Sequence, residues 1–157
     1  MSTDSLFPPT TEEIIERLDR QILALLMGGA GGPLNYTLSA GERKILEAIR
    51  YHRGRNRAVS LEEIQSRTGI NGRSVKHFVR CLRMNFQLPI GSSKHARGGG
   101  YFLMVEDADV AVWRTSVLDQ VRAEIAVLRA AAGAHVVQEL LGQLSIEIKP
   151  ALEVHRG

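Results

Sequence analysis

Two predicted helices joined by a turn of three or four residues place the strongest constraint on how this chain can fold. The first helix begins after Ser60, which is followed three residues later by Glu63, the spacing of a capping box. It ends at Gly69, a residue suited to a left-handed helix exit. Asn71 is a suitable N-cap for a second helix over about residues 72–85. Because the turn is short, the two helices must pack against each other.

The second helix of this pair has one apolar face and one basic face. At about 100° per residue, its apolar side chains cluster on one side; they are Val75, Phe78, Val79 and Leu82. The opposite arc of about 120° carries Arg73, Lys76, His77, Arg80 and Arg83. Ser74 lies on the shoulder of this arc, where its hydroxyl can bond a phosphate. The DNA major groove, about 12 Å wide, admits one such helix, and Arg can bind guanine there with two hydrogen bonds.

Charge is distributed unevenly along the chain, although the net charge is only +3. Residues 42–97 contain thirteen Lys/Arg and four Asp/Glu, a balance of +9, whereas the rest contains seven and thirteen, a balance of −6. A basic middle between acidic flanks is typical of an anion-binding surface. The plainer interpretation is a solvated basic face.

Elements on both sides of the helix pair extend the pattern. Ser39 and Glu42 form a further capping box that opens a helix to about His52, and Val59 is a candidate for a very short strand. After the basic helix, two short apolar runs, residues 88–91 and 101–104, surround a glycine-rich loop and predict a β-hairpin. The loop carries three further basic side chains, Lys94, His95 and Arg97.

Helix, short helix "LEEIQSRTGI", basic helix "NGRSVKHFVRCLRM" and hairpin "LPIGSSKHARGGGYFLM", in this order, resemble a winged helix-turn-helix DNA-binding domain. The segment is similar to small winged-helix proteins encoded in bacteriophages and prophages. The resemblance covers about Leu38–Met104 and implies that Gly72–Asn85 is the recognition helix and Ser92–Gly100 the wing. The expected fold class is mainly α (α+β), with extra N- and C-terminal helices around the winged core.

The remaining segments are assigned from composition and periodicity. We expect a disordered leader over residues 1–9, an amphipathic helix over 10–27, a flexible Gly-rich linker over 28–37, the winged domain over 38–104 and C-terminal helices over 105–157. The last helices carry wide apolar stripes, which favours packing across a two-fold axis in a homodimer; the alternative is an enlarged monomer. Residues 145–150 alternate like a strand, and Trp113 lies on an apolar stripe.

Several kinds of site and location are disfavoured. The single cysteine, Cys81, excludes an intrachain disulfide and a cysteine zinc cluster. The histidines lack metal-ligand spacing, and no paired carboxylates, nucleophile or cofactor motif is evident. We therefore expect no catalytic residues, no metal, no cofactor and no small-molecule substrate. Without a membrane span or a targeting segment, the expected location is the cytoplasm.

The sequence thus predicts a double-stranded DNA-binding protein, either a sequence-specific transcriptional regulator or a phage accessory factor. The predicted DNA-binding residues are Asn71, Arg73, Ser74, Lys76, His77, Arg80, Arg83, Lys94, His95 and Arg97. Arg55 and Arg57 are further candidates for contacts with the DNA backbone. The alternative is a winged-helix protein–protein interaction module in a replication or transcription assembly.

Overall fold

A computed structural model describes the backbone of residues 7–94 and 99–153, with side chains to residue 147. The described chain is mainly helical with one two-stranded antiparallel sheet, as the sequence predicts for the fold class. The elements are α1 (Thr11–Leu26), α2 (Ala40–Ile49), α3 (Leu61–Thr68), α4 (Gly72–Phe86), β1 (Ile90–Ser93), β2 (Gly100–Leu103), α5 (Asp107–Ala132) and α6 (Ala134–Glu153). No helix in this described part is long and apolar enough to cross a membrane.

Side-chain caps fix where the first four helices begin. Thr10 and Ser39 form complete capping boxes with Glu13 and Glu42, so each helix start satisfies free backbone N–H groups. The Ser60 hydroxyl accepts a hydrogen bond from the backbone N–H of Glu63 at 3.1 Å and caps α3, but the Glu63 carboxylate pairs with Arg67, so only half of the predicted capping box is present. Helix α2 ends at Ile49, three residues earlier than predicted, because the chain turns there and the His52 N–H donates to the Ile49 carbonyl.

The turn between α3 and α4 has the geometry that the sequence predicts. Gly69 adopts φ +69°, a left-handed conformation that glycine tolerates best. Both helices pack against α2, and α1 packs on the same helix. The core between them consists of aliphatic side chains and one phenylalanine, including Leu18, Ile22, Ile45, Leu46, Ile49, Ile64, Val75, Val79, Leu82 and Phe86.

The β-hairpin pairs Ile90 with Leu103 and Ser93 with Gly100 in antiparallel register. The short strand predicted at Val59 exists as an isolated bridge, in which Val59 and Tyr101 exchange two backbone hydrogen bonds of 2.8 Å. Gly100 permits this approach, since it adopts φ +145° and a Cβ there would lie 2.0 Å from the Val59 carbonyl oxygen. The hairpin is therefore anchored to the segment just before α3.

The glycine-rich segment after α1 forms a closed turn rather than an open linker. Gly31 and Tyr36 exchange two backbone hydrogen bonds of 2.9 and 3.0 Å. A Cβ on Gly32 would lie 1.8 Å from the carbonyl oxygen of Asn85, so the glycine backbone itself contacts the end of α4. Residues 28–36 thus pack on the helix that bears the basic face.

The chain divides into two compact units, Met1–Ser116 and Val117–Gly157. Gly133, at φ +90°, separates α5 from α6 as predicted. Residues 145–150, which alternate like a strand in the sequence, lie within α6, because this helix continues to Glu153.

Candidate nucleic-acid interface

Helix α4 buries its apolar face and exposes its basic face. Val75, Val79, Leu82 and Phe86 are at most 1% exposed. Arg73, Lys76, His77 and Arg80 are all exposed on the opposite side. The helix contains no Asp or Glu, so no acid within it neutralises these cations. The name basic ridge is used below for Arg73, Lys76 and Arg80.

Close packing against α2 holds this helix in place. Gly41, in the first turn of α2, leaves no room for a side chain, because a Cβ there would lie 2.2 Å from the ring of Phe78. Phe78 therefore rests on the α2 backbone at the border between the apolar and basic faces of α4. The outward direction of the basic ridge is thus set by the core and does not depend on solvent-exposed contacts.

Three other cations of the basic middle segment form ion pairs within the chain. Arg53 binds the Asp19 carboxylate at 2.6 Å, and Arg55 binds Glu106 at 2.5 Å and the fully buried Asp109 at 3.1 Å. Arg67 forms an ion pair with Glu63 one turn earlier in α3. By contrast, the basic ridge has neither an ion pair nor a hydrogen bond to any residue that the structure describes. Its charge is therefore available to an external anion.

The sequence makes Arg55 a candidate for a contact with the DNA backbone, but in the structure its guanidinium binds acidic residues of the chain itself. Asp109 accepts hydrogen bonds from the backbone N–H groups of Val105, Arg55 and Glu106 as well as from the Arg55 guanidinium. Burial raises the pKa of Asp109, but these hydrogen bonds outweigh it and the pKa lies below its ordinary value. The guanidinium of Arg55 is thus a structural counter-charge at the start of α5. Its neighbour Arg57 is exposed.

Arg83 differs from the other predicted DNA contacts on α4. Its Nε donates to the carbonyl of Ile90 at 2.7 Å, and its guanidinium carbon lies 5.1 Å from the centre of the Trp113 ring. Burial lowers the pKa of Arg83, partly offset by the nearby Tyr101. This side chain therefore joins α4 to β1 and to the start of α5, and we do not include it in the DNA-contact set.

Asn71 and Ser74 lie at the N-terminal end of the basic face. The Asn71 side-chain oxygen accepts from the Ser74 backbone N–H at 3.0 Å, which caps the helix and leaves only the amide NH₂ for an external partner. Ser74 is half-buried. At this end of α4 the first-turn backbone N–H groups and the helix dipole also favour an anion.

His77 and Cys81 lie one turn apart on α4. The Nε2 atom of His77 is 3.6 Å from the Cys81 sulfur, and its ring lies 5.6 Å from that of Phe78. The imidazole is exposed on the basic face but already has these neighbours within its own helix. His77 is therefore a weaker candidate for an external contact than Arg73, Lys76 or Arg80.

An open cleft of about 730 Å³ lies between the start of α3 and the hairpin, and Lys76 of α4 also lines it. Ser60 and Glu62 line one wall, Lys76 lines the α4 side, and the hairpin contributes residues including Ser92, Ser93, Lys94 and Tyr101. Lys94 is exposed. The volume matches that of sites that hold drug-sized ligands, so a sugar–phosphate unit can enter. The other two predicted loop contacts, His95 and Arg97, lie outside the described residues.

Sequence reasoning missed the hydroxyl-lined wall of this cleft. Ser93 and Tyr101 reach it only because the hairpin register brings them beside Val59 and α3. The sequence contains one indication of this wall, the run "IGSS". Its glycine and serines are small, so they place no large side chain on one face of the strand. Glu62 was interpreted only as part of a helix start, yet it adds a negative charge to the cleft from the α3 side.

No group of three or more potential metal ligands occurs in the part of the chain that the structure describes. Comparison of the chain with protein-family models, with curated proteins and with solved structures finds no match. The functional interpretation therefore depends on the geometry of the basic face and the cleft beside it.

Proposed function

We propose that this chain binds double-stranded DNA, with α4 as the recognition helix of a winged helix-turn-helix and the hairpin as its wing. The observation that carries the proposal is the basic ridge, whose side chains have no ion pair with any described residue, on a helix whose other face is buried. Unpaired surface cations aligned along one helix suit a phosphate-flanked groove better than they suit solvent alone, since neighbouring cations repel one another.

The order of the elements supports this proposal. A helix (α2), a bridge at Val59, the α3–α4 pair and the β1–β2 hairpin follow each other in the order expected of a winged domain. The three-residue turn, with Gly69 in left-handed conformation, is typical of a helix-turn-helix. None of these features alone is specific; together with the charge of α4 they favour a nucleic-acid ligand.

Each residue of the basic face receives a role from its chemistry. Arg73 and Arg80 lie two turns apart, about 10.5 Å along the axis, which corresponds to about three base-pair steps. We assign them to base edges, with guanine as the preferred partner. Lys76 faces the cleft and is assigned to phosphate, together with Lys94 on the opposite wall. The backbone of one DNA strand would then pass between α4 and the hairpin.

The biological role that follows is recognition of a defined DNA site, as a transcriptional regulator or as an accessory factor. Direct base contacts by two arginines are expected to discriminate between sequences, each good contact contributing about 1–3 kcal/mol. A protein that only held phosphates would bind all duplexes alike.

Selection from random DNA duplexes tests the proposal. The purified chain is expected to enrich a short motif with a conserved G·C pair, and the double variant Arg73→Ala/Arg80→Ala is expected to lose it. The matched control is Arg17→Ala/Arg20→Ala, which removes two exposed arginines from α1. A folded wild-type chain that enriches nothing and binds no duplex would favour the alternative of a protein-interaction module.

A further inference from the structure

The second unit of the chain, described by itself, has an apolar groove and almost no core. The groove lies between α5 and α6 and is lined by Val121, Ile125, Leu128, Val137, Leu140, Leu141 and Leu144, with Gln120 and Glu124 as its polar lining. Among residues 117–147, Val137 is the only buried apolar side chain that the structure describes. Ile125 and Leu128 are half-buried, and other groove residues are largely open: Val121 is 47% exposed, Leu141 44% and Leu144 40%.

Two amphipathic helices alone cannot remove both of their apolar stripes from water. In a four-helix bundle each stripe faces the bundle centre and contacts helices on two sides. The α5–α6 pair has the exposure expected of one half of such a bundle, since its stripes face a shared groove instead of closing on each other. A second layer of two helices is the missing part.

We infer that a second copy of this chain supplies that layer, so that two α5–α6 pairs form a four-helix bundle about a two-fold axis. The face of each pair is about 22 Å long and 20–24 Å wide, or about 500 Å². Two copies would bury about 1,000 Å², which reaches the lower limit for a specific interface. No other protein is needed to fill the groove, because the leucine and valine side chains of a second copy can pack into the groove that the same side chains form in the first.

A single helix from another protein fits the exposed surface less well. It would cover the groove but leave flanking apolar residues open, since Leu118 is 45% exposed and Val136 39% exposed. On the helical wheel Leu118 lies about 20° from Ile125 and Val136 about 40° from Leu140, so each borders the groove stripe of its own helix. A two-helix layer is about twice as wide as one helix and extends further over these borders. The inference is independent of DNA binding, because it uses no residue of the basic ridge or the cleft.

Sedimentation equilibrium of the full chain tests the inference. The 17.3 kDa chain is expected to sediment at twice its mass at micromolar concentration. Leu140→Glu places a charge in the groove of both copies and is expected to weaken self-association on the order of 100-fold. The control is Ile146→Glu, at a position that is 74% exposed and outside the groove lining, and it should leave the mass unchanged.

A wild-type monomer at all concentrations up to about 100 µM, far above typical dimer dissociation constants, would overturn the inference. So would a Leu140→Glu chain that dimerises as well as the control. Amide hydrogen exchange of the wild-type chain covers the case in which Leu140→Glu does not fold. Protection within residues 117–147 should rise with protein concentration, and protection that is independent of concentration would also overturn the inference. A dimer that binds no DNA would contradict the proposed function alone.

Discussion

In the proposed complex with DNA, Arg80 and Lys94 make the two different kinds of contact, with bases and with phosphates. Arg80 is exposed on α4, whose opposite face is buried, whereas Lys94 is exposed at the end of the hairpin beside the cleft. Base contacts discriminate between sequences, and phosphate contacts hold all sequences equally. The two residues therefore make opposite predictions for specificity.

Arg80→Ala should weaken binding to the selected site by about 1–3 kcal/mol and leave binding to unrelated duplex nearly unchanged. Lys94→Ala should weaken both by a similar factor. Competition titrations with selected and scrambled duplexes measure the ratio. Equal losses on both duplexes for Arg80→Ala would reassign this arginine to a phosphate.

Arg83 is expected to contribute to stability more than to DNA binding. Arg83→Ala removes the hydrogen bond to the Ile90 carbonyl and the contact with Trp113, and should lower the free energy of unfolding by about 1–3 kcal/mol. Because Trp113 is the only tryptophan, its emission should also shift in the folded variant. An unchanged denaturation midpoint and an unchanged emission spectrum would show that the contact contributes nothing.

Asp109 makes stability depend on acid pH. Its pKa in the folded chain is depressed, so its ionised form contributes stability above its unfolded pKa near 3.8, and this contribution is lost as the pH falls through the lower folded value. Asp109→Asn should therefore cost about 1–3 kcal/mol near neutral pH and progressively less below about pH 4. The exposed pair member Asp119 provides the control, since Asp119→Asn should have little effect at either pH. A cost for Asp109→Asn that does not shrink in acid would contradict the assignment.

Helix boundaries were predictable because they depend on local chemistry. Ser39, Ser60 and Asn71 each accept a hydrogen bond from the backbone N–H three residues ahead, so the local sequence alone indicates where these helices begin. The outward face of α4 followed from helix periodicity for the same reason. Period and caps together located the candidate site before any tertiary contact was known.

Contacts between distant parts of the chain were not predictable. The helical wheel put Arg83 beside Arg80, but it contains no information on the carbonyl of Ile90 that Arg83 binds. Arg55 lies 54 residues from its partner Asp109, so counting the charges near Arg55 in the sequence does not reveal that its charge is neutralised. The glycines after α1 are typical of a linker. In the structure, however, α4 lies against Gly32 and leaves no room for a side chain there.

One residue of the cleft wall, Glu62, can be substituted in a way that is expected to increase the affinity for DNA. Glu62 lines the same cleft as Lys76 and Lys94, where a strand of DNA would experience its charge. Removing one negative charge about 10 Å from a phosphate is worth a few tenths of a kcal/mol in water. Glu62→Gln should therefore tighten binding to any duplex about two-fold, whereas Glu16→Gln on α1 should not. Weaker binding by Glu62→Gln would place the DNA elsewhere.

In the proposed dimer of α5–α6 pairs, each copy carries its own α4. The selected DNA motif is then expected to show two-fold symmetry, as operators of dimeric helix-turn-helix proteins do. A dimer also explains why a chain with one compact basic domain keeps a second unit whose apolar stripes are open to solvent. The Leu140→Glu chain should still bind a single half-site, but it should lose most of its affinity for the symmetric duplex.

The most direct test of DNA recognition by α4 is the salt dependence of duplex binding, measured by fluorescence anisotropy for the wild-type chain and for Lys76→Ala. Contacts to about four to six phosphates predict a log–log slope of affinity against salt near −4 to −5, and loss of Lys76 should reduce its magnitude by about 1. Lys44→Ala on α2 is the matched control and should keep the wild-type slope. A wild-type affinity that does not change with salt, or a slope that is the same without Lys76, would contradict the proposal that the basic face of α4 binds DNA.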